Sequence, residues 1–289
     1  MADDGALPRW PQMTAPELTA AYSPSTMVGG DLAPFIEDYI TQSAAGYATV
    51  GPVQTLTYGR KPAQTIDVAM PLRASGAPLH VFIHGGYWQE LSKKESFFAA
   101  SGTLRQGIGF AALDYTLAPQ ASIDEIVAEV VAALRHLRAE AETLGADPER
   151  IVLSGSSAGA HLAAMACIEL DAEEQPAGLI LLSGIYDLRP LLNIYVNDAL
   201  GMTKDDALRN SPNLREISAF PPSVIAWAEN DTDEFSRQSR QFARTLQQAG
   251  QEVHMLEVAS RNHFDIVHDL TGDGTLGQWL SRLAQKQEH

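Results

Sequence analysis

The chain has 289 residues, a formal net charge of −16 and 45% hydrophobic residues. That length holds one large α/β domain or two small ones. The negative charge argues against nucleic acid and anionic membranes as partners, because both are bound by positive charge. No apolar run approaches the ~20 residues of a bilayer-spanning helix. The acidic start Met1-Ala2-Asp3-Asp4 lacks an apolar core and is not expected to act as a signal peptide. The expectation is therefore a cytoplasmic protein, with a homodimer left open. Cys167 is the single cysteine, so no disulfide can form within the chain.

In chain order, residues 1–50 are rich in Pro, Ala and aromatic residues and read as an N-terminal cap extension with one or two helices. Residues 53–58 and 66–70 alternate apolar and polar positions, as half-buried antiparallel strands do. From Leu79 the strands become continuously apolar, as parallel strands buried on both faces should, and the strand candidates are 78–83, 150–154, 178–183, 223–228 and 252–258. Between them, 123–144 is the best-marked helix. Ser122 and Glu125 form a capping box, Ile123, Ile126, Val127, Val130, Val131, Leu134 and Leu137 make one stripe, and Gly145 ends it. Residues 188–222 break the pattern with four prolines and several asparagines and read as a lid insertion at the active-site end of the sheet. Helices are expected at 235–249 and 264–270. The alternation predicts one α/β domain over 1–289, with a mostly parallel central sheet flanked by helices and a small cap or lid.

The most informative stretch is Gly155-Ser156-Ser157-Ala158-Gly159, between the apolar strand 150–154 and a helix-like run from residue 160. A strand that turns sharply into a helix with G-x-S-x-G at the corner is a nucleophile elbow. The turn nearly collides the residues two before and two after the serine, so both are glycine, and Ser157 is expected in a strained backbone conformation with its hydroxyl exposed. Upstream, the strand 78–83 runs into His84-Gly85-Gly86-Tyr87-Trp88. A glycine pair there lets backbone N–H groups face a developing oxyanion without side chains in the way. The expected donors are the N–H groups of Gly86, Tyr87 and Ala158. Downstream, four carboxylates follow the strand 223–228. Asp231 is the expected orienting acid, with Asp233 second, and the rest form a solvated loop that caps the next helix. His263 lies in the loop after the last strand, and the order Ser157, Asp231, His263 is the one used by nucleophile-elbow enzymes.

The other histidines carry weaker readings. His268 falls inside the predicted helix 264–270, His84 shapes the oxyanion loop, and His161 packs on the elbow helix. His80, His136, His254 and His289 have no functional reading. Trp88, Tyr186 and Phe264 are the expected substrate-pocket residues. Tyr87 and Trp88 would crowd a long acyl chain and offer a flat surface to an aryl group; alternatively both rings point into the protein and pack the loop. The chain has no H-E-x-x-H, no paired cysteines and no histidine cluster, so neither a metal nor a cofactor is expected. Position 157 is serine, which rules out a G-x-G-x-x-G dinucleotide loop at this turn.

These motifs resemble the alpha/beta-hydrolase superfamily and its hormone-sensitive-lipase-like branch, whose D-Y-x-L-A-P turn is matched at 114–119. They are most similar to the kynurenine formamidase (arylformamidase) group, through H-G-G-Y-W at 84–88, G-S-S-A-G-A-H-L at 155–162, E-N-D-T-D-E-F-S-R-Q-S at 229–239 and N-H-F-D at 262–265. Ala21-Tyr22-Ser23-Pro24 resembles the N-terminal segment of the same enzymes. The resemblance implies a metal-independent serine hydrolase that cleaves a small formyl amide of an aromatic amine. It implies Ser157, Asp231 and His263 as the triad. Many relatives carry a third small residue where this chain has Tyr87, which leaves Gly85 as an alternative oxyanion donor. The alternative functions are a general carboxylesterase for short-chain esters and, more remotely, a non-catalytic hydrolase-fold binding protein.

Overall fold

A computed structural model describes residues 9–272 and 274–285; the acidic start at residues 1–4 and His289 lie outside them. Among the described residues eight strands make one sheet: β1 (Gln54–Thr57), β2 (Thr65–Ala69), β3 (Ala77–Ile83), β4 (Gly109–Leu113), β5 (Ala146–Ser156), β6 (Gly178–Leu182), β7 (Ser223–Asn230) and β8 (Val253–Asn262). Their order is β1-β2-β4-β3-β5-β6-β7-β8. β2 runs antiparallel to both β1 and β4, and every later pairing is parallel. The chain has the alpha/beta-hydrolase fold.

Side-chain alternation along the parallel strands builds two cores. Leu79, Val81, Ile83, Leu153, Leu181 and Ile225 face one side, and Phe82, Phe110, Val152, Ile180 and Val224 face the other. The first layer is closed by α4 (Ile123–Leu144), α5 (Ala158–Glu169) and α8 (Asp233–Gln248), the second by α3 (Ala100–Arg105) and α9 (Thr275–Leu283). α4 has the expected ends. The Ser122 hydroxyl accepts from the Glu125 N–H, the Glu125 carboxylate accepts from the Ser122 N–H, and Gly145 turns the chain away at φ 82°.

Three elements lie outside the sequence reading: β4, α3 and the C-terminal helix α9. β4 is fully buried and joins the antiparallel edge to the parallel body of the sheet, and α3 is a six-residue helix leading into it. Around His268 the expected helix is a 3₁₀ turn, Ile266–Leu270.

The N-terminal extension forms α1 (Ala15–Ala21) and α2 (Ala33–Thr49). α2 lies against the chain at 93–97, so closely that a Cβ on Gly46 would sit 2.5 Å from the Phe97 carbonyl oxygen. Residues 188–222 hold α6 (Val196–Leu200), α7 (Lys204–Arg209) and short 3₁₀ turns. Among the described residues, no helix is long and apolar enough to cross a membrane.

Candidate active site

The turn from β5 into α5 places Ser157 at φ 56° and ψ −117°, a conformation that a non-glycine residue holds only where its surroundings over-determine it. The glycines explain how the turn closes. A Cβ on Gly155 would lie 2.3 Å from the Gly159 carbonyl oxygen, and one on Gly159 would lie 2.1 Å from that of Ile83. The Ser157 N–H donates to the Leu182 carbonyl at 2.8 Å, which ties the turn to β6. Ser157 is also the N-cap of α5, whose dipole favours negative charge at this end.

Strand register brings the acid and the base together. Asn230 on β7 pairs with Asn262 on β8, after a shift between Ala228 and Asn230. The next residues, Asp231 and His263, therefore leave the sheet side by side. Both are buried, and His263 Nδ1 lies 2.8 Å from Asp231 Oδ2. A carboxylate only accepts, so Nδ1 carries a proton, and in the neutral ring Nε2 is then the acceptor. The other carboxylate oxygen, Oδ1, accepts from the Thr232 N–H at 2.8 Å. Asp233 is exposed in the first turn of α8.

Beyond β3 the chain winds through three consecutive left-handed residues, Gly86 (φ 88°), Tyr87 (50°) and Trp88 (60°). The Gln89 and Glu90 N–H groups close the turn onto the Gly86 carbonyl. A Cβ on Gly86 would sit 2.4 Å from the Glu90 carbonyl oxygen, so only glycine fits. Behind the turn the His84 ring stacks on Tyr115 at 4.3 Å, and the Tyr115 hydroxyl reaches the carbonyls of His84 and Gly85. None of the Gly86, Tyr87 and Ala158 N–H groups donates to another described residue.

Ser157, His263, Gly85, Gly86 and Tyr87 line one cavity of about 220 Å³. Among the described residues no group of three or more His, Cys, Asp and Glu side chains is arranged to hold a metal ion.

Residues 80–265 match the family described as the alpha/beta hydrolase fold. The chain is 35% identical to kynurenine formamidase of Danio rerio over 96% of its own length and 97% of that protein, and 35% identical to kynurenine formamidase of Salmo salar over 96% and 99%. The chain belongs to the kynurenine formamidase group of alpha/beta hydrolases. It is a hydrolase. A thermophilic carboxylesterase from a metagenomic library, EstE1, shares the fold at a TM-score of 0.71, with 20% identity over 89% of this chain and 96% of that one.

The pocket differs from the sequence expectation at two residues. Trp88 is fully buried, with its indole edge-on to His161 at 5.0 Å, and it does not line the cavity. The left-handed turn at 86–88 aims it into the core beneath the loop. Tyr186 is fully buried too, stacked on Phe242 of α8 at 4.5 Å, so it packs the core instead of meeting a ligand. Phe264 does line the cavity, next to His263.

Sequence reasoning missed the wall opposite. Leu32, Ile36 and Tyr39, from the start of α2, line the cavity together with Phe82 and Phe98. Their spacing of four and three residues is a readable helical stripe. From 188–222, Tyr195 and Val196 reach the cavity. Elsewhere this segment packs on the elbow helix, where buried His161 donates from Nε2 to the Asn210 carbonyl at 2.7 Å.

Proposed function

We propose that the protein is a metal-independent serine hydrolase that removes a formyl group from an aromatic amine of the N-formylkynurenine type. Ser157 is its nucleophile, His263 its base and Asp231 its orienting acid. The observation that carries this reading is the buried Asp231–His263 pair, whose histidine lines the same cavity as Ser157 on its strained elbow. The 35% identity to the fish kynurenine formamidases supports the formyl group.

In the proposed reaction Ser157 Oγ attacks the formyl carbon while His263 Nε2 takes its proton. The negative charge on the former carbonyl oxygen meets the N–H groups of Ala158 and of Gly86 and Tyr87, with Gly85 the alternative; such donors are commonly worth about 3 kcal/mol each. His263 then protonates the aryl nitrogen as the C–N bond breaks, leaving a formyl ester on Ser157. Water, deprotonated by the same histidine, attacks that ester and releases formate. The ring of the leaving amine lies against the apolar wall of α2 and Phe264, and residues 9–50 with Tyr195 and Val196 act as the cap.

A second reading has one specific observation in its favour. Trp88 points away from the cavity, which removes one of the two rings expected to limit the acyl chain, so a short-chain carboxylesterase is the alternative. kcat/KM on N-formylkynurenine beside p-nitrophenyl acetate, butyrate and hexanoate separates the two. The expected order is formamide first, with esters falling about tenfold or more per added pair of methylenes. Rates that climb from acetate to hexanoate, with N-formylkynurenine untouched, would overturn the formamidase reading. An organophosphonate that leaves Ser157 unmodified would favour a binding protein instead.

A further inference from the structure

The C-terminal end of α1 has carbonyls with no partner inside the helix, as every helix end does. Two of them, on the consecutive residues Ala21 and Tyr22, accept from hydroxyls that arrive from distant loops. Thr232 Oγ1 donates to the Ala21 carbonyl at 2.7 Å, across 211 positions of sequence. The Tyr87 hydroxyl donates to the Tyr22 carbonyl, across 65 positions. A third hydroxyl, from Tyr39 on α2, donates to the Phe264 carbonyl. Each of these contacts falls on or next to a residue of the proposed site. Thr232 follows Asp231 and gives it an N–H, Phe264 follows His263, and Tyr87 is itself an expected oxyanion donor.

The acceptor segment is firmly held. The Tyr22 ring is buried; its hydroxyl donates to Glu234 Oε2 at 2.9 Å and accepts from Gln238 Nε2 at 2.8 Å. Glu234 is in turn paired with Arg237 at 2.8 Å. On the α2 side, the Phe35 ring lies 5.2 Å from Phe264, and His268 Nε2 lies 2.7 Å from Asp38 Oδ2.

We propose that the chain from Ala21 to Tyr39 is a positioning strap. Through three hydroxyl-to-carbonyl bonds it sets the oxyanion loop, the acid loop and the histidine loop in fixed relation to one another. The inference rests on the triad reading above. Its physical basis is that the three loops leave different strand ends, where backbone is least constrained by the sheet. Tyr87 moreover holds a sparsely populated φ of 50°, which persists only where its surroundings impose it. Tyr87, Thr232 and Tyr39 are then positioning residues through their hydroxyls.

Three substitutions each delete one hydroxyl and keep the side-chain volume: Tyr87→Phe, Thr232→Val and Tyr39→Phe. They are made in the full chain and assayed on N-formylkynurenine and on p-nitrophenyl acetate, with folding followed by thermal melts. The expected result is a fall in kcat of about tenfold in each, because a small misplacement of reacting groups costs that much or more. KM stays within about threefold, and the rate of Ser157 labelling by an organophosphonate falls in parallel with kcat. Thr232→Ser, which restores the hydroxyl, recovers most of the turnover lost in Thr232→Val. A merely structural role would lower the melting temperature and leave kcat per labelled site at the wild-type value in all three variants, and that result overturns the strap. The triad reading fails separately, on a Ser157→Ala protein that keeps wild-type turnover. The formamide reading fails on a wild-type protein active only on the ester, where the strap is still measured.

Discussion

At the scale of single residues, Ser156 and Ser157 are neighbours with different surroundings. Ser156 ends β5 and pairs with Leu182, whereas Ser157 stands at the corner with a left-handed φ. On the triad reading Ser157→Ala lowers kcat by about 10⁶ with the fold intact, since loss of a triad nucleophile leaves only the oxyanion donors and binding. Ser156→Ala stays within about tenfold of wild type, and an inactive Ser156→Ala beside an active Ser157→Ala would move the elbow register by one. The same contrast applies to the acids. Asp231 is buried against His263 Nδ1, and Asp233 is exposed at the start of α8. Asparagine at 231 can present an amide N–H to Nδ1 and so favours the wrong imidazole tautomer, which costs roughly 10⁴ in kcat. Asp233→Asn changes kcat less than about threefold. Comparable losses in the two variants would exchange the roles of the two acids.

At the scale of elements, the elbow depends on space that only glycine leaves. A Cβ on Gly159 would lie 2.1 Å from the Ile83 carbonyl oxygen, a backbone atom of β3 that cannot move without disturbing the sheet. Gly159→Ala therefore loses about 3 kcal/mol or more of stability, the upper end for overpacking a core. Gly107 is a control: its φ is 77° and an added methyl would meet nothing within 4 Å, so alanine there costs only the left-handed strain of about 1–2 kcal/mol. Urea unfolding of both variants measures the difference, and equal losses would mean that the elbow yields. Elements with a strong pattern were legible in the sequence. The central parallel strands β3, β6 and β7 are mostly apolar and buried, and α4 has its stripe and both caps. β4 was not legible, because Gly109-Phe110-Ala111-Ala112-Leu113 is mostly small residues with weak strand preference, held in place by β2 and β3 on either side. The positions of Asp231 and His263 were legible because each follows a strand end whose register is fixed. The directions of Trp88 and Tyr186 were not, since they follow from loop dihedrals that no periodicity encodes.

At the scale of the whole molecule, acid sensitivity is built into the core. His80 and His161 are fully buried, on β3 and α5, and burial lowers their pKa from 6.5 to about 3 and about 4. His80 Nε2 faces the Ser154 hydroxyl, and the His161 ring lies between the Asn210 carbonyl and Trp88. Neither site offers a carboxylate that would compensate a positive charge. Both rings are neutral in the folded protein, while in the unfolded chain they take up protons below about pH 6.5. Their contribution is therefore fully present above pH 6.5 and is lost as pH falls from there toward the folded values near 4 and 3. Between pH 7.5 and pH 5 the loss is about 2 kcal/mol for each ring. His268, partly buried and lowered by desolvation, shifts stability in the same direction. The lowered carboxylates, such as Asp124 beside Arg209, act only at lower pH, as they approach their own protonation. A loss of about 4 kcal/mol in a chain of this size lowers Tm by roughly 7 °C. Calorimetry at pH 7.5 and pH 5 reads it directly, and His161→Asn, which removes one titrating ring, should cut the difference by about half. A Tm that is level between the two pH values would mean that these rings already carry their protons in the folded state, against the burial that surrounds them.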